Sequence, residues 1–414
     1  MSRSLRHPLS GYDLGLLFCV LTLLALGILM VYSASGAPAF DALDNPQYYL
    51  VQQSAWGIAG LAGLALASRV DYHRYRVLGV VLLLIAVALL ALVLVPSPLR
   101  ICANGACRWL RVAGPVSLQP AEFAKVGLVL YLAAWLAAKR DELARGRLML
   151  PFLLIVGAVG GLIVVEPDLG TAIVIVGVAL LLYFAAGARL IEFGAVGALV
   201  VVGTVALAIA QPYRIARVLA FVDPWADPTG VGFHTLQSFY ALALGGPFGE
   251  GLGAGREKFG YLPAPYTDSI FAVLADELGL IGALAVVLLF AAVVLQGLRI
   301  AKRAPDAHGA LLAVGITATL GLQAWINMAV VAGLVPVTGI TLPFISYGGS
   351  SLLVSLTSVG ILLNVGRQGS LERKVRGDAH PARGWRDRGA YQPAARGERR
   401  VARAHTVPLR LPWR

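Results

Sequence analysis

Charged residues are scarce in this sequence: they make up 14% of its 414 residues, whereas hydrophobic residues make up 58%. A soluble domain needs far more charge to cover its surface, so this composition excludes an ordinary soluble globular protein. Lipid, in contrast, favours an apolar exterior. The net charge of +12 would suit a nucleic-acid binder, but the basic residues lie between apolar runs and in the C-terminal tail, where they set membrane topology. We therefore expect a membrane protein with no nucleic-acid partner.

The sequence also lacks the signatures of several soluble enzymes and of a secreted precursor. Its six histidines are scattered without metal-ligand spacing, which gives no indication of structural zinc. The glycine cluster within 245–255 lacks the Gly-Lys-Ser/Thr ending of a phosphate loop and predicts a flexible loop with close backbone packing. The first apolar run, 14–32, is long enough to span a bilayer and has no cleavage site, so we expect no cleaved signal peptide.

Apolar runs of membrane-spanning length are abundant. They cover residues 13–33, 51–68, 77–96, 117–138, 149–165, 170–187, 190–210, 271–298, 309–333 and 350–366. Basic residues such as Arg69, Lys139 and Arg303 share one side of these runs, and placing that side inside puts both termini in the cytoplasm. The sequence therefore predicts an all-α polytopic membrane protein with about ten transmembrane helices.

These runs divide the chain into a cytoplasmic N-terminal segment (1–12), a membrane domain (13–366) and a basic tail (367–414). The tail is rich in Arg, Gly, Pro and Ala, so we expect a disordered cytoplasmic segment attracted to anionic membrane lipid. The longest connection, 211–270, lies between helices seven and eight and is predicted to be extracytoplasmic. Its apolar stretch 236–244 is too short to cross, which predicts an interfacial or re-entrant segment.

The outer side of this predicted topology carries basic residues that run against the usual bias. They are Arg100, Arg108, Arg111, Arg214, Arg217, Arg256 and Lys258. Their position indicates a purpose other than topology.

Two of the three cysteines fall in an outer loop. Cys102 and Cys107 flank Asn104-Gly105, a strong tight-turn signal that would bring the two sulfur atoms together. Because the outer compartment is oxidising, we predict a disulfide, with two free thiols as the alternative. Cys19 lies within the first span and is interpreted as a packing residue.

One acidic residue stands where the long outer loop enters a span. Asp268 follows a turn-rich stretch, and Thr267, Asp268 and Ser269 are all good helix N-caps. Helix capping and catalysis are therefore equally compatible with the spacing. A carboxylate at the membrane edge is partly desolvated, which raises its pKa and suits it to accept a proton.

Two further groups of ionisable residues lie at helix ends. Glu122 and Lys125 are three residues apart and hence share a helical face. They form either a local ion pair that makes the helix start tolerable in lipid or part of a functional site. Glu166 and Asp168 flank Pro167, so they mark either a water-exposed turn or a second functional position.

Taken in order, several segments resemble the SEDS family (shape, elongation, division and sporulation), the bacterial peptidoglycan polymerases typified by FtsW and RodA. The similarity covers residues 11–367, and its most specific segments are 108–109, 119–125, 166–172, 213–217, 223–225, 245–263, 267–268, 277–279 and 343–351. The stretches 221–228 and 338–343 look closer to the FtsW division branch than to the RodA elongation branch. The chain departs from the family pattern around Asp268, where Ala264, Tyr266 and Ser269 replace the usual Glu, His and Phe.

The resemblance implies a glycosyltransferase that joins lipid II units into glycan strands and releases undecaprenyl diphosphate. Asp268 matches the family's essential aspartate and would be the general base. Arginine suits forked phosphate contacts, and outer cations would stabilise the leaving diphosphate. The candidates for this role are Arg214, Arg217, Arg256, Lys258 and Lys125. Glu122 would either hold Lys125 or help to coordinate a divalent cation such as Mg²⁺ or Mn²⁺, and Arg108 and Trp109 would line the sugar site, although an interfacial Trp is more often an anchor.

The resemblance also implies partners and a location. We expect a class B penicillin-binding protein, which is a transpeptidase, together with other divisome proteins, at the division septum in the inner membrane. The alternatives are an elongation polymerase of the RodA type, a flippase that transports lipid II, and a non-catalytic scaffold. A flippase needs polar groups along a path through the membrane but no base at the outer face.

Overall fold

The computed structural model describes residues 12–103, 106–113, 116–209, 211–259 and 261–378. Its helices that coincide with the predicted spans are α1 (Leu14–Leu43), α2 (Tyr48–Arg69), α3 (Tyr75–Leu94), α4 (Pro120–Ala138), α6 (Met149–Val165), α7 (Leu169–Ala185), α8 (Leu190–Ile209), α11 (Ile270–Arg303), α12 (Ala307–Val331) and α13 (Gly349–Asp378). Eight of them are long and apolar enough to cross a membrane, and α6 and α7 are shorter apolar helices. The predicted all-α membrane fold is confirmed.

The centre of the bundle is formed by α12 and α13. In the most apolar 18-residue stretch of each helix, 72% is buried for α12 and 78% for α13, whereas only 6% is buried for α8. The packed helix pairs include α2 with α13, α3 with α4, and α11 with α12. The side chains of a helix that is covered by protein do not face lipid, so α12 can carry the polar residues Gln323 and Asn327 within its span.

A small antiparallel sheet forms the connection between α3 and α4, which the sequence analysis placed on the outer side. Its strands are β1 (Arg100–Ala103), β2 (Ala106–Ala113) and β3 (Val116–Leu118), in the order β1-β2-β3. Cys102 pairs with Cys107 across the hairpin and forms the predicted disulfide. The predicted turn residues, 104–105, lie outside the described residues. The sequence analysis treated this segment as a loop, because three short strands carry little periodic signal of their own.

The long connection between α8 and α11, predicted to be extracytoplasmic, contains two further helices, α9 (Pro212–Val222) and α10 (Phe233–Gly245). The short apolar segment predicted at 236–244 is part of α10, which packs against α11 and α12. A short helix, α5 (Arg140–Ala144), lies on the opposite side, between α4 and α6.

Helix α11 is interrupted at Gly279, whose φ of +68° and ψ of −170° are not helical. The glycine-rich loop pairs with the interrupted backbone: Glu250 N donates to Asp276 O at 3.0 Å, and Leu280 N donates to Gly246 O at 2.8 Å. Non-helical backbone within a membrane protein is tolerated where protein satisfies its hydrogen bonds. The predicted close backbone packing of the glycine cluster is thus present, and it supports a broken helix.

The last helix extends further than the sequence analysis expected. We predicted a disordered tail from residue 367, but α13 continues to Asp378. The additional turns are tied to the bundle, since Arg367 Nη1 donates to Tyr12 Oη at 2.9 Å and Gln368 Nε2 donates to Asp71 Oδ1 at 3.1 Å. The prediction was wrong for 367–378, and residues 379–414 lie outside the described part of the chain, as do residues 1–11 of the N-terminal segment.

Candidate active site

Asp268 lies half-buried immediately before α11 and does not cap it. The N-cap residue is Ser269, and its side chain makes no capping hydrogen bond. The Asp268 carboxylate instead accepts a hydrogen bond from Thr267 Oγ1 at 3.0 Å. The capping interpretation of Asp268 is therefore wrong. Its carboxylate can still accept a hydrogen bond from a substrate hydroxyl.

Two polar side chains of α12 connect Asp268 to the predicted Glu122–Lys125 pair. Asn327 Nδ2 donates to Asp268 O at 2.8 Å. Gln323 lies four residues earlier, on the same helical face, and its Oε1 accepts from Lys125 Nζ at 2.6 Å. Four residues correspond to about 6 Å along the helix. The sequence analysis singled out neither residue, although an amide side chain inside a span is the signal that would have found them.

Glu122 and Lys125 form a buried ion pair near the start of α4. Lys125 Nζ lies 2.8 Å from Glu122 Oε1. The pair faces a small cavity that Gln323, Ser355 and Ser358 also line. A second small cavity lies beside Lys125 and is lined almost entirely by apolar residues. The ion-pair interpretation is thus realised, and the pair also borders a polar cavity.

Of the two roles predicted for Glu122, the structure shows the first, because its carboxylate holds the Lys125 ammonium at 2.8 Å. Coordination of a divalent cation by Glu122 stays a prediction. In the part of the chain that the structure describes, no group of three or more His, Cys, Asp or Glu side chains is arranged to hold a metal ion.

The structure separates the five predicted phosphate-binding cations into a buried and an exposed group. Lys125, Arg214 and Lys258 are buried among protein acceptors. Arg214 Nη1 donates to Leu207 O at 3.0 Å, and Lys258 Nζ lies 2.6 Å from Glu277 Oε1. Arg217 and Arg256 are exposed. Arg217 Nη1 donates to Val337 O at 3.3 Å, and Arg256 forms a loose ion pair with Glu250, with Nε and Oε2 3.6 Å apart.

Arg108 and Trp109 lie in β2, on the outer sheet. Arg108 Nε donates to Glu166 O at 3.3 Å, and its Nη2 donates to Pro167 O, so this side chain fastens the sheet to the α6–α7 connection. Trp109 is half-buried and pairs with Ile101 in the sheet. No contact joins either residue to Asp268 in the described structure.

The acidic residues around Pro167 do not mark a water-exposed turn. Glu166 and Asp168 are only 1% and 4% exposed, so that interpretation was wrong. Asp168 caps α7 by accepting from Thr171 N at 3.1 Å. Burial, and to a lesser extent the Asp168 charge, raises the pKa of Glu166 to about 8, against a smaller opposite effect of Arg108.

The residues that replace the usual SEDS pattern around Asp268 have found other partners. Tyr266 Oη donates to Tyr49 Oη at 3.1 Å, and both rings pack against Tyr347. Burial raises the pKa of Tyr266 above its ordinary value, so the phenol stays neutral. Ser269 is fully buried and hydrogen-bonded to His234 of α10.

Comparison with known proteins places this geometry in a family. Residues 14–371 match the family model FTSW_RODA_SPOVE, described as cell cycle protein. Stage V sporulation protein E of Bacillus subtilis is 44% identical over 86% of this chain and 97% of its own length. A probable peptidoglycan glycosyltransferase FtsW of Geobacter is 42% identical over 86% of this chain and 96% of its own length.

Solved structures are similar over most of the fold. A chain from a structure described as structural coordination of polymerization and crosslinking by a peptidoglycan synthase complex aligns with a TM-score of 0.71 and 33% identity, covering 87% of this chain and 99% of that chain. The rod shape determining protein RodA of Thermus thermophilus aligns with a TM-score of 0.64 and 29% identity, covering 87% and 98%. The chain thus belongs to the FtsW/RodA/SpoVE family of cell cycle proteins.

Proposed function

We propose that this protein is a peptidoglycan glycosyltransferase that polymerises lipid II into glycan strands and releases undecaprenyl diphosphate, for septal wall synthesis in cell division. The observation that carries the proposal is the Asp268 carboxylate, which caps no helix and is fixed through its backbone to the polar face of α12. The relatives named FtsW, at 41–44% identity, support the enzyme class and the division branch.

The proposed reaction needs a base on the acceptor side and positive charge on the donor side. Asp268 takes the proton of the acceptor sugar hydroxyl while the hydroxyl oxygen forms a bond to the donor anomeric carbon. The bond from that carbon to the diphosphate oxygen breaks, and the diphosphate leaves with the electron pair. Attack from the face opposite the leaving group inverts the anomeric centre.

The exposed guanidinium groups are better placed than the buried cations to stabilise the leaving diphosphate. Arg217 Nη1 donates to Val337 O at 3.3 Å, and a Cβ at Gly339, two residues further along, would lie 3.8 Å from Asp268 Oδ2, so Arg217 and Asp268 lie beside the same loop. Arg214 and Lys258 are each only 4% exposed, so a diphosphate on the outer side would reach them less readily than the exposed Arg217. We therefore assign Arg217 the first role in diphosphate binding. Arg256 is the second candidate, because its ion pair with Glu250 is loose and 78% of its side chain is exposed.

The proposal includes the setting of the enzyme. We propose a multi-pass inner-membrane protein with both termini in the cytoplasm, which works at the septum with a class B penicillin-binding protein and other divisome proteins. The chain with a similar fold in the solved structure belongs to a peptidoglycan synthase complex, which supports a partner in peptidoglycan synthesis for this protein.

Replacing Asp268 by Asn tests the proposal. The purified protein with its transpeptidase partner is supplied with lipid II, and glycan polymer is measured by gel electrophoresis. Because general-base catalysis contributes about 10²–10⁴-fold, we expect Asp268→Asn to lose at least about 100-fold in rate. Asp141→Asn is the matched control, because Asp141 is an exposed residue of the short helix α5 and lies outside the segments that resemble the SEDS family.

Two results would overturn the proposal. Undiminished polymer from Asp268→Asn would remove the assigned base. Lack of polymer from the native protein with its partner, combined with movement of fluorescent lipid II across proteoliposomes, would favour the flippase.

A further inference from the structure

The two oxygen atoms of the Asp268 carboxylate have different surroundings. Thr267 Oγ1 donates to Oδ1 at 3.0 Å, whereas no group in the described part of the chain donates a hydrogen bond to Oδ2. A carboxylate oxygen takes a proton only where the hydroxyl that gives the proton can reach one of its lone pairs. Oδ2 is therefore the oxygen that is available to act as the base.

Oδ2 faces the loop between α12 and α13 at Gly339. This glycine is exposed and has φ of +71°. A Cβ at Gly339 would lie 3.8 Å from Asp268 Oδ2 and would meet no other part of the protein within 4 Å. Because hydrogen-bonded oxygen atoms lie about 2.7 Å apart, a side chain at this position would occupy the space that an acceptor hydroxyl needs beside Oδ2.

One buried amide holds this loop and the segment of Asp268 together. Asn327 Nδ2 donates to Ile340 O at 2.7 Å and to Asp268 O at 2.8 Å. A carbonyl oxygen can only accept, so both protons of the amide are used, one for each segment. Asn327 is 2% exposed, so solvent does not compete for these hydrogen bonds. The position of the loop relative to the carboxylate is thus set by one side chain.

Two further hydrogen bonds fix the loop on either side of Gly339. Arg217 Nη1 donates to Val337 O at 3.3 Å, two residues before the glycine. Gln323 Nε2 donates to Thr341 O at 3.0 Å, two residues after it. The proposed base and the proposed diphosphate-binding arginine therefore border the same fixed turn, whose exposed residue carries no side chain.

We propose that the acceptor sugar of lipid II reaches Asp268 across Gly339, which makes this glycine a specificity-determining residue of the acceptor site and Asn327 a positioning residue. The acceptor hydroxyl gives its proton to Oδ2 while its oxygen bonds to the donor anomeric carbon. The bond from that carbon to the diphosphate breaks, and the diphosphate leaves with the electron pair. This inference rests on the proposed function, since it needs Asp268 to be the base.

Alanine and asparagine at position 339 separate the effect of space from that of backbone strain. Asparagine adopts a positive φ more readily than alanine does, but its side chain is larger. If the space beside Oδ2 is needed, we expect polymer formation to fall by about 10-fold in Gly339→Ala and by at least about 100-fold in Gly339→Asn, because the hydroxyl no longer reaches its base. If only strain matters, Gly339→Asn is the more active of the two variants, and the proposal is overturned.

Gly187→Ala and Gly187→Asn are the matched controls. Gly187 is also exposed, has φ of +99°, and a Cβ there would meet nothing within 4 Å. It lies outside the segments that resemble the SEDS family. These variants carry backbone strain without changing the site, so they should keep native kcat.

Chemical labelling gives a readout that does not depend on activity. Gly339→Cys places a thiol beside Oδ2, whereas Cys19 is buried and Cys102 and Cys107 are bonded to each other. In the presence of the transpeptidase partner and of lipid II at ten times its Kd, reaction of the new thiol with a maleimide should slow by about 10-fold. Gly187→Cys should react at the same rate with and without lipid II. Lack of protection in Gly339→Cys would overturn the proposal.

Asn327→Leu provides the test if a side chain at position 339 prevents folding in a thermal unfolding assay. It releases Asp268 O and Ile340 O, and a displacement of about 1 Å between base and substrate can cost about 100-fold in rate. Asn364→Leu is its control, because Asn364 is a buried amide whose Nδ2 donates to Ser68 O at 2.8 Å, away from this loop. Equal kcat in Asn327→Leu and Asn364→Leu would then overturn the proposal.

The outcomes distinguish this inference from the proposed function. Native-like polymer formation by Gly339→Asn, together with an inactive Asp268→Asn, would overturn the role of Gly339 and leave the glycosyltransferase intact. A native protein that makes no polymer with its partner would overturn both.

Discussion

Replacing Lys258 by Met should destabilise the protein, because it leaves the Glu277 carboxylate buried without its counter-charge. Lys258 Nζ lies 2.6 Å from Glu277 Oε1, and the two side chains are 5% and 0% exposed. Removing one partner of a buried pair costs about 3–5 kcal/mol. The Ser33 hydroxyl and Gly253 N–H still donate to this carboxylate, so we expect a loss at the lower end, about 3 kcal/mol.

A double variant isolates the charge effect from the loss of packing. Lys258→Met/Glu277→Gln removes both charges and keeps similar volumes, and such replacements are often neutral. Thermal unfolding in detergent micelles, followed by intrinsic fluorescence, should therefore show most of the stability restored. Lys302→Met, at the exposed end of α11, is the control and should change little.

The same variants decide between two roles for Lys258. If it is a counter-charge that holds the glycine-rich loop against the break in α11, polymerase activity should return together with stability in the double variant. If it binds the leaving diphosphate, the double variant should be stable and inactive. A single variant as stable as the native protein would refute the reasoning about the buried pair.

Three further predictions concern the outer side of the protein. Gly249→Ala should lower the melting temperature more than Gly253→Ala. Both glycines have φ of +81°, but a Cβ at Gly249 would lie 2.1 Å from a carbonyl oxygen of α11, whereas a Cβ at Gly253 would meet nothing within 4 Å. Equal losses of melting temperature would contradict the packing argument. Glu166→Gln should become more stable relative to the native chain as the pH rises. The pKa of Glu166 is raised from 4.5 to about 8, so the folded state binds the proton more tightly than the unfolded state, and the free energy of unfolding of the native chain falls across that interval. Parallel stability curves for the two proteins would show that no such shift exists. Cys102 and Cys107 should resist alkylation until a reductant is added, as measured by intact mass, and alkylation without reductant would refute the disulfide. Replacing both by Ser should lower the free energy of unfolding by about 2 kcal/mol, a modest loss because the bridged loop is short.

The membrane fold was accessible to sequence analysis because its signal is local. A span needs about 20 apolar residues to cross the hydrocarbon core, so each one is visible in its own stretch of chain. The Glu122–Lys125 pair was visible for the same reason, since three-residue spacing places both side chains on one helical face. The disulfide followed from a turn between two nearby cysteines.

Other features required the packed structure. Arg214 and Lys258 looked like ligands for phosphate because basic residues on the outer side are unusual, but the fold supplies acceptors for both. The extension of α13 beyond residue 366 is accompanied by contacts of Arg367 with Tyr12 and of Gln368 with Asp71, which are 355 and 297 residues away in sequence.

The sequence alone predicted a membrane protein with about ten spans and an acidic residue where its longest connection enters a span, because the length and hydrophobicity of each span are visible in its own segment. Tertiary structure alone decided which groups surround that acid. Asn327 and His234 come from α12 and α10, and they meet the segment around Asp268 only when three separate helices pack together. These contacts depend on how whole helices pack against one another, and the spacing of residues along a single helix contains no information about that packing.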